Sequence, residues 1–187
     1  MQQLDRSAGV AQPALKQQFV RRARLPEQGE ALWRIESGVV CSMTWTSDGE
    51  LVCLGYWGVG DVVGHRLSRV RPYELHCLTD VVISCCPYTQ RAQFTDAIIH
   101  QQQQTEELLS IIHLNPLSQK LWQLLMWLSQ KFGRDVENGR LLDLPLTHQQ
   151  LAQTLGTNRV TVTTLLQMLE AEGKIQRQQR RLVVTRH

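Results

Sequence analysis

The run from Leu146 to Leu169, LTHQQLAQTLGTNRVTVTTLLQML, leaves this chain few ways to fold near its C-terminus. Thr147 followed three residues later by Gln150 is a capping box, in which each residue satisfies an amide of the other, so a helix starts there. Leu151, Ala152 and Leu155 form its apolar side, and Ala152 is small enough to let another helix cross closely. Gly156 supplies a sharp turn, where a left-handed backbone meets no Cβ. A second helix is predicted from near Asn158, burying Val162, Leu165, Leu166 and Leu169. Two short helices hinged on a glycine form a helix-turn-helix.

The outward residues of that second helix suit nucleic acid. Thr157, Asn158, Arg159, Val160, Thr161, Thr163 and Thr164 sit at its start, where a recognition helix meets the major groove. Arg159 is the predicted base reader, because its fork binds guanine O6 and N7 together. Val160 suits a thymine methyl, and Thr164 completes the base-reading set. Thr147, His148, Thr157, Asn158, Thr161 and Thr163 are assigned to phosphates, which fix register without reading sequence. Behind the helix, Glu172-Gly173-Lys174 leads into a strand pair, Lys174–Arg177 and Arg181–Thr185, tipped by Arg177, Arg180 and Arg181. That basic hairpin reads as a wing gripping the neighbouring phosphates. Charge agrees: Thr147 onward holds six Lys/Arg against two Asp/Glu, while the rest holds 14 against 15. A basic end on a near-neutral body favours a polyanion partner.

Other classes find less support. In 187 residues no stretch approaches the roughly 20 apolar residues of a membrane span. The start, Met1 to Arg6, lacks the apolar run of a secretory signal, which predicts a soluble, cytoplasmic protein. Five cysteines (41, 53, 77, 85 and 86) without a CxxC pair read as reduced, mostly buried thiols. Cys85-Cys86 is vicinal and could sense redox state, but its Val-Val-Ile flank reads as a core strand. His65, His76 and Cys77 match no metal-site spacing. Catalysis is not expected, since neither an HxH pair nor a Ser/His/Asp grouping stands out.

The rest of the chain divides into two parts. From about Gln17 to Thr89, short apolar or β-branched segments (31–35, 39–46, 51–56, 81–85) alternate with glycine turns, and Asp48-Gly49 is a strong hairpin signal. A small β-roll over residues 1–91 is expected. Residues 92–114 hold no Gly or Pro and carry a helical apolar stripe interrupted by Gln101–Gln104. Phe94, Ile98, Thr105, Leu109 and Ile112 advance by three, four or seven, a seam suited to pairing two copies. Packing of that stripe on the chain's own β-roll is the alternative. Residues 115–187 would form a winged helix-turn-helix domain. Its first helix would run from Pro116 to Phe132 with Asn115 as N-cap and Gly133 as stop, and 134–146 would be a connection.

The C-terminal unit resembles that of the Crp/Fnr family of bacterial regulators, and Arg159-Val-Thr-Val-Thr163 looks most like its cyanobacterial nitrogen-control (NtcA-like) branch. The resemblance extends backwards. Glu36-Ser37-Gly38, Gly49 and Gly60-Asp61-Val-Val-Gly64 fall at the glycine turns of that family's β-roll, and 92–112 at its dimerisation helix. It implies an α+β architecture: a cyclic-nucleotide-binding-like β-roll, a long dimerisation helix and a C-terminal winged helix-turn-helix. It further implies a homodimer on palindromic double-stranded DNA, acting at promoters with RNA polymerase as a further partner. There are departures. Cyclic-nucleotide-binding members follow the cassette Gly with Glu and carry an Arg-Ser pair further on. Here Gly64 is followed by His65, and the later stretch reads Arg71-Pro72-Tyr73-Glu74-Leu75. No cofactor is therefore expected, cyclic nucleotide included. The cysteine cluster of iron–sulfur members is missing from the sequence. Val160 replaces a base-reading Glu and Thr164 a second Arg found in relatives, so operator preference does not transfer. The rival reading is a β-roll small-molecule-binding or metal-dependent (cupin-like) enzyme with a C-terminal interaction module.

Overall fold

Two antiparallel sheets face each other over a core of Trp33, Ile35, Val40, Trp57, Val63, Leu75 and Ile83. The computed structural model describes residues 16–27, 31–178 and 181–185. The strands are β1 (Lys16–Phe19), β2 (Ala31–Ser37), β3 (Val40–Trp45), β4 (Leu51–Trp57), β5 (Val62–Val63), β6 (Glu74–Cys77) and β7 (Val81–Pro87). One sheet runs β1-β7-β2-β5 and the other β4-β3-β6. Asp48-Gly49 turns β3 into β4 as predicted, with Gly49 at φ +79°.

The chain leaves the roll through a 3₁₀ segment, Tyr88–Phe94, and enters helix α1 (Thr95–Ile112). The predicted 92–114 helix is thus shorter in its α-helical part. Phe94 stands at the N-cap of α1, where the chain is still against the roll, and Ile98 packs against the same cluster. Phe94 packs inside the protomer with Leu32, Val62 and Cys86. The glutamine run does not break α1. Gln104 faces inward, 4% exposed.

Helix α2 (Leu117–Phe132) buries Leu121, Leu124, Leu125 and Leu128 completely. Each such leucine stabilises the fold by about 1.5–3 kcal/mol. Pro116, not Asn115, holds the N-cap position, because Pro116 is already extended (φ −74°, ψ 176°). Gly133 ends the helix, but with an extended backbone (φ −100°). Its glycine is required by crowding: a Cβ there would lie 2.3 Å from the Ser129 carbonyl oxygen.

Residues 134–146 are not a mere connection. β8 (Gly133–Val136) and β9 (Gly139–Leu142) form a hairpin turned at Glu137-Asn138. Helices α3 (His148–Leu155) and α4 (Arg159–Ala171) follow, then β10 (Ile175–Gln178) and β11 (Arg181–Thr185). The wing pairs with the extra hairpin into one sheet, β10-β11-β9-β8. A single apolar cluster joins this C-terminal head to the roll, running from Val39, Cys41, Cys53 and Tyr56 to Leu151, Leu155 and Leu166. Among the described residues, no helix is long and apolar enough to cross a membrane.

Candidate nucleic-acid interface

The helix-turn-helix forms by local side-chain chemistry. The Thr147 hydroxyl accepts from the Gln150 amide at 3.1 Å, and the Gln150 side chain accepts from the Thr147 amide at 2.9 Å. Gly156 is left-handed (φ 64°, ψ 44°), and the Thr157 amide closes the turn on the Ala152 carbonyl at 3.1 Å. The Asn158 carboxamide oxygen accepts from the Thr161 amide at 2.8 Å and from its hydroxyl at 3.0 Å. Each cap contributes about 1 kcal/mol. α4 then buries Val162, Leu166 and Leu169 against α3 and turns its other side to solvent.

Arg159 and Thr164 are exposed on that side, and Val160 is 75% exposed. Arg159 stands in the first turn of α4, as a base reader must. An apolar side chain as bare as Val160 has no packing role within the protomer. The threonines hold a subtler position. Thr161 donates to Asn158, Thr163 to the Arg159 carbonyl at 2.9 Å, and Thr164 to the Val160 carbonyl at 3.3 Å. Phosphates only accept, so these hydroxyls must turn before meeting one. As they stand, their lone pairs suit a donor such as the amino group of adenine or cytosine. Thr147 and Asn158 serve first as caps, and Thr157 is half-buried at the turn.

His148 links the pieces. Its Nδ1 lies 2.8 Å from the Thr163 hydroxyl. Burial, then the charges of Arg177 and Arg159, hold its imidazole below the usual 6.5. α3, α4 and the wing therefore converge on one positive surface. On the wing, Arg177 pairs with Glu170 at 3.0 Å and Arg181 with Asp143 at 2.5 Å. All four side chains are over a third exposed, so each pair contributes no more than about 1 kcal/mol and yields readily to a phosphate. Arg180 lies outside the described residues.

On α1, Thr105 and Leu109 of the predicted seam face solvent, Ile98 and Ile112 are half-buried, and Phe94 is covered by its own roll. Ile99, outside the predicted seam, is 52% exposed and Leu109 50%.

One junction is not legible from the sequence. Asp61, 4% exposed, accepts from the Gly58 amide at 2.7 Å and from the Gln104 side chain at 3.3 Å, and lies 3.4 Å from the Lys131 ammonium. Lys131 also donates to the Tyr56 carbonyl and the Gln104 side chain, and it sits over the Trp57, Trp127 and Phe132 rings. Burial pushes its pKa down to about 8 despite Asp61. This node ties roll, α1 and α2 together. Its only sequence trace is the polar break in the α1 stripe.

The roll's cassette loop is closed on itself. His65 lies 2.9 Å from the Tyr73 carbonyl and stacks edge-on against the Tyr73 ring, while Arg71 donates to the Ser68, Val70 and His65 carbonyls. His76 pairs with Glu74 at 2.6 Å, and burial raises the Cys77 thiol to about 11. Among the described residues, no group of three or more His, Cys, Asp or Glu side chains is arranged to hold a metal ion.

Comparison with known proteins agrees with this geometry. Residues 119–187 match the model of the Crp-like helix-turn-helix domain. The chain is 39% identical over 167 residues to the regulatory protein CysR of Synechococcus elongatus, covering 88% of this chain and 81% of CysR. It is 32% identical over 81 residues to the global nitrogen regulator of Nostoc, covering 43% of this chain and 36% of that protein. A CRP-family transcriptional regulator of Thermus thermophilus has the same fold, with a TM-score of 0.78 at 20% identity over 91% of this chain and 92% of that one. These relatives are regulators, and the reading as a metal-dependent enzyme is set aside with them. A capped helix-turn-helix with a bare arginine, a wing, a β-roll and this degree of likeness along most of the chain place it in the Crp/Fnr family, as a DNA-binding transcription regulator of the NtcA-like branch.

Proposed function

We propose that the protein acts in the cytoplasm as a homodimer, that α1 forms the seam between copies, and that it reads a palindromic operator without cyclic nucleotide. The observation that carries this reading is the half-exposed Leu109 on the outer side of α1, with Thr105 one turn before it and Ile112 three residues beyond. A second copy would cover that strip and set two recognition helices about 34 Å apart, one turn of DNA. The closed His65–Tyr73 loop supports independence from cyclic nucleotide, because the protein's own side chains satisfy the groups there. Arg159 and Val160 read base edges. Arg177, Arg180 and Arg181, the open amides at the start of α3, and His148 once protonated hold phosphates. Thr147 and Asn158 keep the helix starts in place for that work. At promoters, RNA polymerase is the further partner.

Sedimentation of the full chain, with and without Leu109→Glu, tests the seam. The wild type should sediment as a dimer and the variant as a folded monomer. A duplex selected from a random-sequence pool should carry two inverted half-sites, and the variant should lose the advantage of the second. A wild-type monomer, or a selected site without symmetry, would reject the reading. Cyclic AMP should leave affinity unchanged.

A further inference from the structure

Where β3 and β4 meet α3, the first helix of the helix-turn-helix, the Cys41 and Cys53 sulfurs lie 2.7 Å apart. A disulfide needs about 2.05 Å, so only a small shift separates the two thiols from a bond. The strand register explains the meeting. Ser42 pairs with Gly55 and Met43 with Cys53, so Leu54 is an extra, bulged residue. Cys53 and Tyr56 would face opposite sides of a regular strand. The bulge puts both on the face that packs against α3.

Three further observations mark this pair. The Tyr56 hydroxyl bonds the Thr154 hydroxyl of α3 at 2.5 Å, so the same cluster pins the head to the roll. A cavity of about 140 Å³ is lined by both cysteines together with Tyr56, His76, Gln150 and Gln153. That is several times the roughly 30 Å³ share of a water molecule, room enough for a small peroxide. Finally, burial raises both thiols, but hydrogen bonds from Cys41, Thr154 and Tyr56 bring Cys53 below its ordinary value, while Cys41 stays well above. Cys53 is the attacking sulfur and Cys41 the resolving one. The vicinal Cys85 and Cys86 are a poorer pair, since consecutive strand residues point to opposite faces. Cys86 packs with Phe94, and Cys85 lies on the core between the sheets.

We propose that Cys41 and Cys53 are a peroxide-driven disulfide switch that loosens the docking of the DNA-binding head on the β-roll. The Cys53 thiolate attacks one oxygen of hydrogen peroxide, the O–O bond breaks, and the departing hydroxide takes a proton to leave as water. The Cys41 sulfur then attacks the Cys53 sulfenic acid. The S–O bond breaks, hydroxide leaves with the Cys41 proton as a second water, and the S–S bond forms. Two thiols are oxidised by two electrons in all, and one peroxide is reduced to two waters. Drawing the sulfurs together removes the thiol that faces Thr154 and Tyr56. The Tyr56–Thr154 bond then holds the head without the thiol's support, and a head less firmly pinned must be ordered again on binding DNA, which lowers affinity.

The test treats the reduced full-length protein with hydrogen peroxide. Peptide mapping under non-reducing conditions should join the Cys41 and Cys53 peptides and leave Cys77, Cys85 and Cys86 alkylatable. Amide exchange over Leu151–Leu155 should accelerate. Affinity for a duplex selected with the reduced protein should fall at least about fivefold, the lower end of allosteric couplings, and return with dithiothreitol. Neither Cys41→Ala nor Cys53→Ala should form the crosslink: Cys41→Ala should stop at a Cys53 sulfenic acid, and Cys53→Ala should keep its reduced-state affinity under peroxide. A crosslink elsewhere, no crosslink, or a Cys41–Cys53 bond that leaves α3 exchange and affinity unchanged would overturn the proposal. The mapping and exchange need neither DNA nor a variant, so they decide the switch independently of the DNA reading and of any variant that fails to fold.

Discussion

Replacing Arg159 with alanine separates recognition from folding. Arg159 opens α4 and is exposed, so its loss creates no cavity. A cation at a helix N-terminus opposes the helix dipole by about 0.3–1 kcal/mol, so stability should hold or rise by a fraction of that. The loss on DNA is different. A bidentate contact to guanine discriminates by about 1–3 kcal/mol, or roughly 5- to 150-fold in affinity for the correct site. His148 should report the change as well. Arg159 is one of the charges depressing its imidazole, and the His148 pKa should move up in the variant. Anisotropy titrations on the selected duplex and on duplexes altered one base pair at a time supply the affinities, thermal melts the stability, and proton NMR the His148 titration. Arg159→Lys keeps charge but not the fork, so it should lose the same guanine preference while retaining the salt dependence. An equal loss on every duplex, or destabilisation beyond about 1 kcal/mol, would refute the assignment.

Asn158→Ala should cost about 1 kcal/mol of stability in a urea titration, because one amide of α4 loses its acceptor. Lys131 should give an unusual alkaline signature. Between pH 8 and 10.5 the unfolded chain holds a proton that the folded chain has released, so this site adds stability as pH rises, by up to roughly 3 kcal/mol. The stability difference between wild type and Lys131→Met should grow over that window, and a flat difference would contradict it. His148 should couple DNA binding to proton uptake. Phosphate favours the imidazolium that Arg177 and Arg159 disfavour, so affinity should rise as pH falls through 6.5, and His148→Gln should abolish that rise. In free protein the sign reverses: His148 contributes stability above 6.5 that is lost as pH falls toward its lowered value, read by melts of both proteins.

What the sequence announces is local. Thr147, Gln150, Gly156 and Asn158 act on neighbours within a few residues, and each holds the predicted geometry. Asp48-Gly49 likewise turns its hairpin. The Glu137-Asn138 turn is harder to see, because the strands it joins are only four residues long and β9 finds its other partner in β11, some forty residues on. Phe94 leaves the predicted seam because the start of α1 lies on its own roll, where Leu32, Val62 and Cys86 cover it. Asp61, Gln104 and Lys131 belong to three separate elements, and Cys41 meets Cys53 only through a bulge. No periodicity within a single segment encodes meetings of that kind.

Because β11 hydrogen-bonds along β9, and β9 along β8, the wing is geared directly to the end of α2. It cannot flex toward the duplex on its own the way an isolated ribbon would. Fitting operators whose halves are spaced or bent differently must therefore come from swivelling each reading unit whole, about the four-residue joint His113–Pro116 that links it to α1. Substitutions that retune spacing belong at that joint, and those that retune base preference on the bare side of α4.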